Sequence, residues 1–175
     1  MGVNLARGRH HLSPAVREIP MKETGKDVHS RSSAATLLNE AMIGRLGTSL
    51  EGRPYVVPLS FVYHDGKIFF HGAKTGKKMD HIAGNPRVCF EVDEGELIPA
   101  DEACSIHWKL RSIIAYGTAR VVNDHEEKVE ALRLLVEKYG LGKSDQITPE
   151  RIESYENLAI VEITVKEITV KQDPV

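Results

Sequence analysis

Lys77 and Lys78 stand at the start of a short helical pattern, directly after Thr75-Gly76. Two ammonium groups there oppose the positive end of a helix dipole, a cost that a bound anion offsets. Thr75 adds a hydroxyl, Gly76 lets backbone approach closely, and free N–H groups at a helix start complete a phosphate seat. The ordinary alternative is a pair of solvated lysines. His71, after Ile68-Phe69-Phe70, is either a structural ring at a strand end or a donor whose charge is easily moved across neutrality. Ser112 is either a locally satisfied hydroxyl or a pocket contact. Strand alternation forbids Arg111 and Ser112 from facing the same side. His107 and Trp108 either close over an aromatic ligand or pack at a subunit contact.

The elements that must hold these residues are mostly strands. Residues 44–50 and 54–64 read as strands joined by Glu51-Gly52, and the second is rich in β-branched and aromatic residues. Pro58 cannot donate to a ladder, which places that strand on an edge or at a bulge. Asp65-Gly66 predicts a tight hairpin returning through Lys67–His71. A helix over about 75–83 is stopped by Gly84-Asn85-Pro86, and a strand over 87–93 follows. Residues 91–108 hold six acids and no Lys or Arg, and read as a long acidic connection. A strand over 109–122, a helix over 125–139, a short helix opened by Thr148-Pro149 and a last strand from Leu158 to about Val170 complete the domain. Ser32 or Ser33 is expected to cap a helix over 34–42. The fold expected is mainly β (α+β), a closed, six-stranded antiparallel split barrel with peripheral helices. Residues 1–30, polar and broken by Gly and Pro, are expected to form a flexible arm before a domain spanning 31–175.

Bulk properties narrow the function. The 175 residues are 41% hydrophobic and 27% charged, with a formal net charge of −2. That balance argues against nucleic-acid binding, which favours a basic face. No apolar run approaches the ~18 residues of a membrane helix, and no apolar signal core opens the chain, so a cytoplasmic protein is expected. Cys89 and Cys104 lack metal or redox spacing and read as free thiols. His10-His11 alone cannot make a metal site, which needs three or four ligands, so no metal is expected. Motifs of serine hydrolases, zinc peptidases and Rossmann folds are absent.

The run Gly44-Arg45-Leu46-Gly47-Thr48, Pro54–Leu59, Ile68–His71, Gly76-Lys77-Lys78, Asn85–Phe90 and Arg111–Ala119, in that order and spacing, resembles the pyridoxamine 5′-phosphate oxidase-like FMN-binding split-barrel superfamily, particularly its nitroimidazole-resistance-like branch. The resemblance spans about residues 31–170. It implies a homodimeric flavoprotein oxidoreductase with FMN at the subunit interface and a small-molecule substrate. It also implies that Val56, Val57, Pro58, Leu59, Ser60 and Phe61 line the isoalloxazine, with His71 and Gly72 touching flavin from the next strand. Lys77 and Lys78 would bind the phosphate, and Ser112 would reach the flavin or its phosphate from the second subunit. His71 is the candidate catalytic proton donor. Pyridoxamine 5′-phosphate oxidases carry Arg-Lys where this chain has Lys77-Lys78, and end in an arginine-rich segment absent here. Ser60 stands where the nitroimidazole-resistance branch often has Asn. Competing expectations are a flavin carrier or sensor without turnover, and a haem- or deazaflavin-binding relative.

Overall fold

The computed structural model describes residues 21–23, 31–140 and 142–173. In chain order the elements are β1 (Met21–Glu23), α1 (Arg31–Glu40), β2 (Gly44–Leu50), β3 (Arg53–Leu59), β4 (Val62–His64), β5 (Lys67–Ala73), α2 (Lys77–Gly84), β6 (Arg87–Ile98), β7 (His107–Val121), α3 (His125–Lys138), α4 (Pro149–Glu153) and β8 (Leu158–Gln172). One sheet runs β3-β2-β6-β7-β8-β5-β4, with β1 added in parallel to β8. All other pairings are antiparallel. The mainly β split-barrel expectation holds, but the strand count and the closure do not. The sheet has eight strands and stays open, because β3 and β4 end its path without pairing.

Two departures explain the count. The single strand expected over 54–64 breaks at Ser60-Phe61, giving β3 and β4, and β1 arises within the segment expected to be an arm. A third departure lengthens the strands. β6 continues to Ile98 and β7 starts at His107, so most of the expected acidic connection is a hairpin. Its acids sit on strands because basic side chains meet them. Arg45 bonds Glu91 at 2.9 Å and also pairs with Asp93, while Arg111 pairs with Glu94 and bonds Glu40 at 2.7 Å. α1 already runs from Arg31, which places Ser32 and Ser33 within the helix and not before it.

Two cores follow from strand alternation. The inner core holds Leu46, Ile68, Phe70, Phe90, Ile113 and Ile163, with α1 contributing Leu37 and Leu38 and α2 contributing Met79 and Ile82. On the outer side of β4, β5 and β8, α3 packs Val129, Leu132 and Leu135 over Val62, Phe69 and Ile160. Glu162 is buried between the layers. Burial alone would raise its carboxyl, but hydrogen bonds from Arg120 and Lys67 hold it below the usual carboxylate range.

The β3–β4 break removes ladder partners from Phe61, whose ring is buried edge-on against Phe90. Tyr139, just past α3, replaces them. Its hydroxyl accepts from Phe61 N–H at 2.7 Å and lies 2.9 Å from Met42 O and 3.1 Å from Phe61 O, either of which can take its single proton. Lys138 lies beside it, donating to Leu38 O at 3.0 Å with its ammonium 3.7 Å from the Phe61 ring centroid.

Two stability predictions follow from this corner. Tyr139→Phe leaves a Phe61 N–H without a partner and should cost about 1–3 kcal/mol by urea denaturation. An unchanged midpoint would mean that water replaces the phenol. Burial pushes the Lys138 ammonium down to about 8. Between that value and the unfolded pKa of about 10.4, the unfolded chain holds the extra proton, so stability should rise with pH across this window. Lys138→Met should flatten the rise, and equal slopes in both proteins would remove the assignment.

Candidate functional site

The opening between β3 and β5 is the place where the sequence candidates converge. β3 bonds only β2, which leaves its other edge unpaired among the described residues, as Pro58 requires. β4 covers β5 only along Lys67–Phe69, so Phe70–Ala73 is a second open lip. α2 starts between the two. Lys77 Nζ sits 4.7 Å from the Tyr55 ring centroid on the β3 lip. Lys78 Nζ lies where a methyl group on Gly72, on the β5 lip, would come within 2.9 Å of it. Each lysine therefore touches one side of the opening.

Local sequence chemistry sets up that start. Gly76 has φ 117°, a backbone conformation that side chains oppose, and its carbonyl accepts from Met79 N at 2.8 Å and Asp80 N at 3.1 Å. No described side chain caps the helix, so the N–H groups of its first residues lack a side-chain acceptor among the described residues. Neither Lys77 nor Lys78 forms an ion pair with a described residue. An exposed Lys74 adds a third cation nearby. Unpaired like charges at a bare helix N-terminus fit a phosphate dianion.

Residues that hold α2 in this position were absent from the sequence candidates. His81 is buried, with Nδ1 3.0 Å from Thr48 Oγ1 and its ring edge-on to Tyr55 at 5.7 Å. Asn85 donates from Nδ2 to Ser49 O at 2.9 Å. His81 lies one helical turn from both lysines, a spacing that marks a common face. Its partners on the β2–β3 hairpin become visible only once the hairpin is in register.

The other candidates divide by face. Val56 (62% exposed) and Pro58 point outward from β3, whereas Val57 and Leu59 pack against the inner core. Ser60 is half-buried at the break, and Phe61 is buried with its N–H already taken by Tyr139. Ser112 lies on the outer face of β7, three strands from β3. At ~4.8 Å per strand, about 14 Å separates it from that lip within one chain. His71 shares the outer face of β5 with Phe69, so Gly72, and not His71, faces Lys78. The His71 ring instead lines a cleft of about 870 Å³ with Leu132, Val136, Arg151, Ile152 and Tyr155. The described residues thus gather Val56–Leu59, Gly72, Lys77 and Lys78 at the opening, set His71 behind one lip, and keep Ser112 apart.

Cys89 and Cys104 are both free thiols. Among the described residues no cluster of metal-ligating side chains occurs, and His10-His11 lies outside them. No helix of the described residues is long and apolar enough to cross a membrane.

The family model described as pyridoxamine 5′-phosphate oxidase matches residues 30–172. An uncharacterized protein of Rhizobium meliloti (strain 1021) is 25% identical over 115 residues, covering 63% of this chain and 70% of the relative. Among solved structures, a putative 5-nitroimidazole antibiotic resistance protein from Bacteroides thetaiotaomicron superposes with TM-score 0.67 at 22% identity, covering 81% of this chain and 82% of that one. The FAD and heme binding protein from Mycobacterium smegmatis gives TM-score 0.73 at 15% identity, with 83% and 72% covered. With a family model matched over residues 30–172 and an open, mainly antiparallel sheet, this chain belongs to the pyridoxamine 5′-phosphate oxidase family.

Proposed function

We propose that the chain is a homodimeric oxidoreductase that binds FMN at the opening between β3 and β5. The observation that carries this reading is the start of α2, which no described side chain caps, with Lys77 and Lys78 each touching one lip and forming no ion pair among the described residues. The phosphate would take the two ammonium groups and the first α2 N–H groups, and the ring would lie along the Val56–Leu59 edge. The M. smegmatis neighbour binds FAD and heme, and that framework therefore tolerates flat cofactors. When bound, FMN supplies hydride or electron transfer, and the protein supplies binding, orientation and tuning.

The second copy would dock on the face that the helices leave open. α3 and α4 cover the outer face only over β4, β5 and the first half of β8. The outer face of β3, β2, β6 and β7 has no helix among the described residues and exposes Val56, Leu97, Trp108 and Tyr116. Exposed large apolar residues of this kind are candidates for an interface. A two-fold partner docked there would bring its Ser112 towards the opening that this chain's own Ser112 cannot reach. His71 would meet substrate from the adjoining cleft, beside Leu132 and Val136, and its ring would deliver a proton.

Replacing Lys77 and Lys78 together by Ala should weaken FMN by about 2–4 kcal/mol, while riboflavin, lacking the phosphate, binds both proteins alike. Unchanged FMN affinity would return the lysines to a solvated face. His71→Ala and His71→Gln should keep flavin and slow reoxidation of the reduced protein by a confirmed substrate by about 10²–10⁴-fold. Normal reoxidation makes His71 structural, and lost flavin makes it a binding residue. If no reduced nicotinamide bleaches the bound flavin, the reading becomes a carrier or sensor.

A further inference from the structure

The cleft behind the β5 lip holds an arginine whose fork is unengaged among the described residues. Of about 870 Å³, it is bounded by His71–Ala73 on β5, by Leu132 and Val136 on α3, and by Ile147, Arg151 and Ile152 around α4. Small-molecule sites are mostly apolar clefts of roughly 300–1,000 Å³. This one adjoins the opening. Gly72, which Lys78 approaches, lies in its wall, and Lys74 N donates to Asn157 Oδ1 at 3.2 Å, tying its rim to the loop that leads into α2.

Local structure holds the backbone of Arg151 and leaves its head group open. Thr148 caps α4 by accepting from Arg151 N–H at 3.3 Å, and the neighbouring Ile152 is buried against the α3 core. Arg151 Nε donates to the Tyr155 hydroxyl at 3.4 Å, a long contact. Neither Nη group has a hydrogen-bond or ion-pair partner among the described residues. Two parallel donors on a planar fork match a carboxylate, and a guanidinium sheds water beside apolar walls more readily than an ammonium.

Charge decides between anions. Among the described residues Arg151 is the one lysine or arginine lining the cleft, and Glu156 lines it as well. A phosphate dianion would call for a second cation and would meet twice the repulsion from Glu156, whereas a monocarboxylate needs only the one fork. The rings of His71 and Tyr155, with the aliphatic wall, suit a flat apolar body behind that charge.

We infer that this cleft binds flat aromatic monocarboxylates, with Arg151 holding the carboxylate and setting specificity while the ring lies towards His71 and the β5 lip. The inference rests on the proposed flavin site for its place in a reaction, and on the cleft alone for binding.

Calorimetric titration of the full-length chain, with and without FMN, uses naphthoate, its neutral counterpart naphthamide, and naphthyl phosphate. Naphthoate should bind tightest of the three. Arg151→Met, which keeps the stem of this exposed side chain, should weaken naphthoate by about 10–100-fold and leave naphthamide unchanged. Arg151→Lys should recover only part of the loss, because an ammonium lacks the fork. Equal binding of acid and amide overturns the carboxylate assignment, as does a Met variant that binds the acid normally or a phosphate ester that binds more tightly. Failure of all three to bind overturns the cleft as a site, and FMN uptake in that same protein leaves the proposed function standing. Arg151-dependent naphthoate binding to a chain that takes up no FMN supports the cleft and removes the flavin reading.

Discussion

The fold turns on the need to satisfy one backbone position. Where β3 and β4 part, Phe61 loses its ladder partners while its ring is buried against Phe90. An unbonded peptide in that setting carries a desolvation penalty, and a strand would normally continue to avoid it. The Tyr139 phenol removes the penalty by standing in for the missing strand. The barrel can then stay split.

The site is consequently built from leftovers of regular structure. Unpaired edges of β3 and β5 supply backbone groups, an uncapped α2 supplies N–H groups, and two lysines stand where helix electrostatics disfavours them. Each feature costs stability alone, and they lie side by side, with Lys77 against Tyr55 and Lys78 against Gly72. The surrounding framework compensates through dense packing elsewhere. Leu37, Leu38, Met79 and Ile82 plug the inner core, and Glu162 ties β5, β7 and β8 through Lys67 and Arg120.

How far this could be read in advance depended on the sequence distance over which each cause acts. Glu51-Gly52 and Asp65-Gly66 marked hairpins because left-handed turns are a local demand, and all four residues have positive φ. The lysine pair was legible for the same reason, being a conflict with a helix only residues away. The break at Ser60-Phe61 was not, since its cause lies 78 residues on, at Tyr139. The acids of 91–108 looked like a connection because their basic partners, Arg45 and Arg111, sit on other strands. The side on which His71 lies was equally hidden. Ile68, Phe69 and Phe70 are all buried, one face by the barrel core and the other by α3, so alternation gave no inside or outside.

The pairing of β5 with β8 also sets an order of events during synthesis. Residues 67–73 leave the ribosome early, yet their ladder partner, residues 158–164, comes near the end. At roughly 5–20 residues per second, the lip of the site waits several seconds with Phe69 and Phe70 uncovered. The hairpins before it can form at once, but the opening between the lips has no second wall until β8 arrives. A nascent chain therefore cannot set the two lips against each other until residues 158–164 have been made.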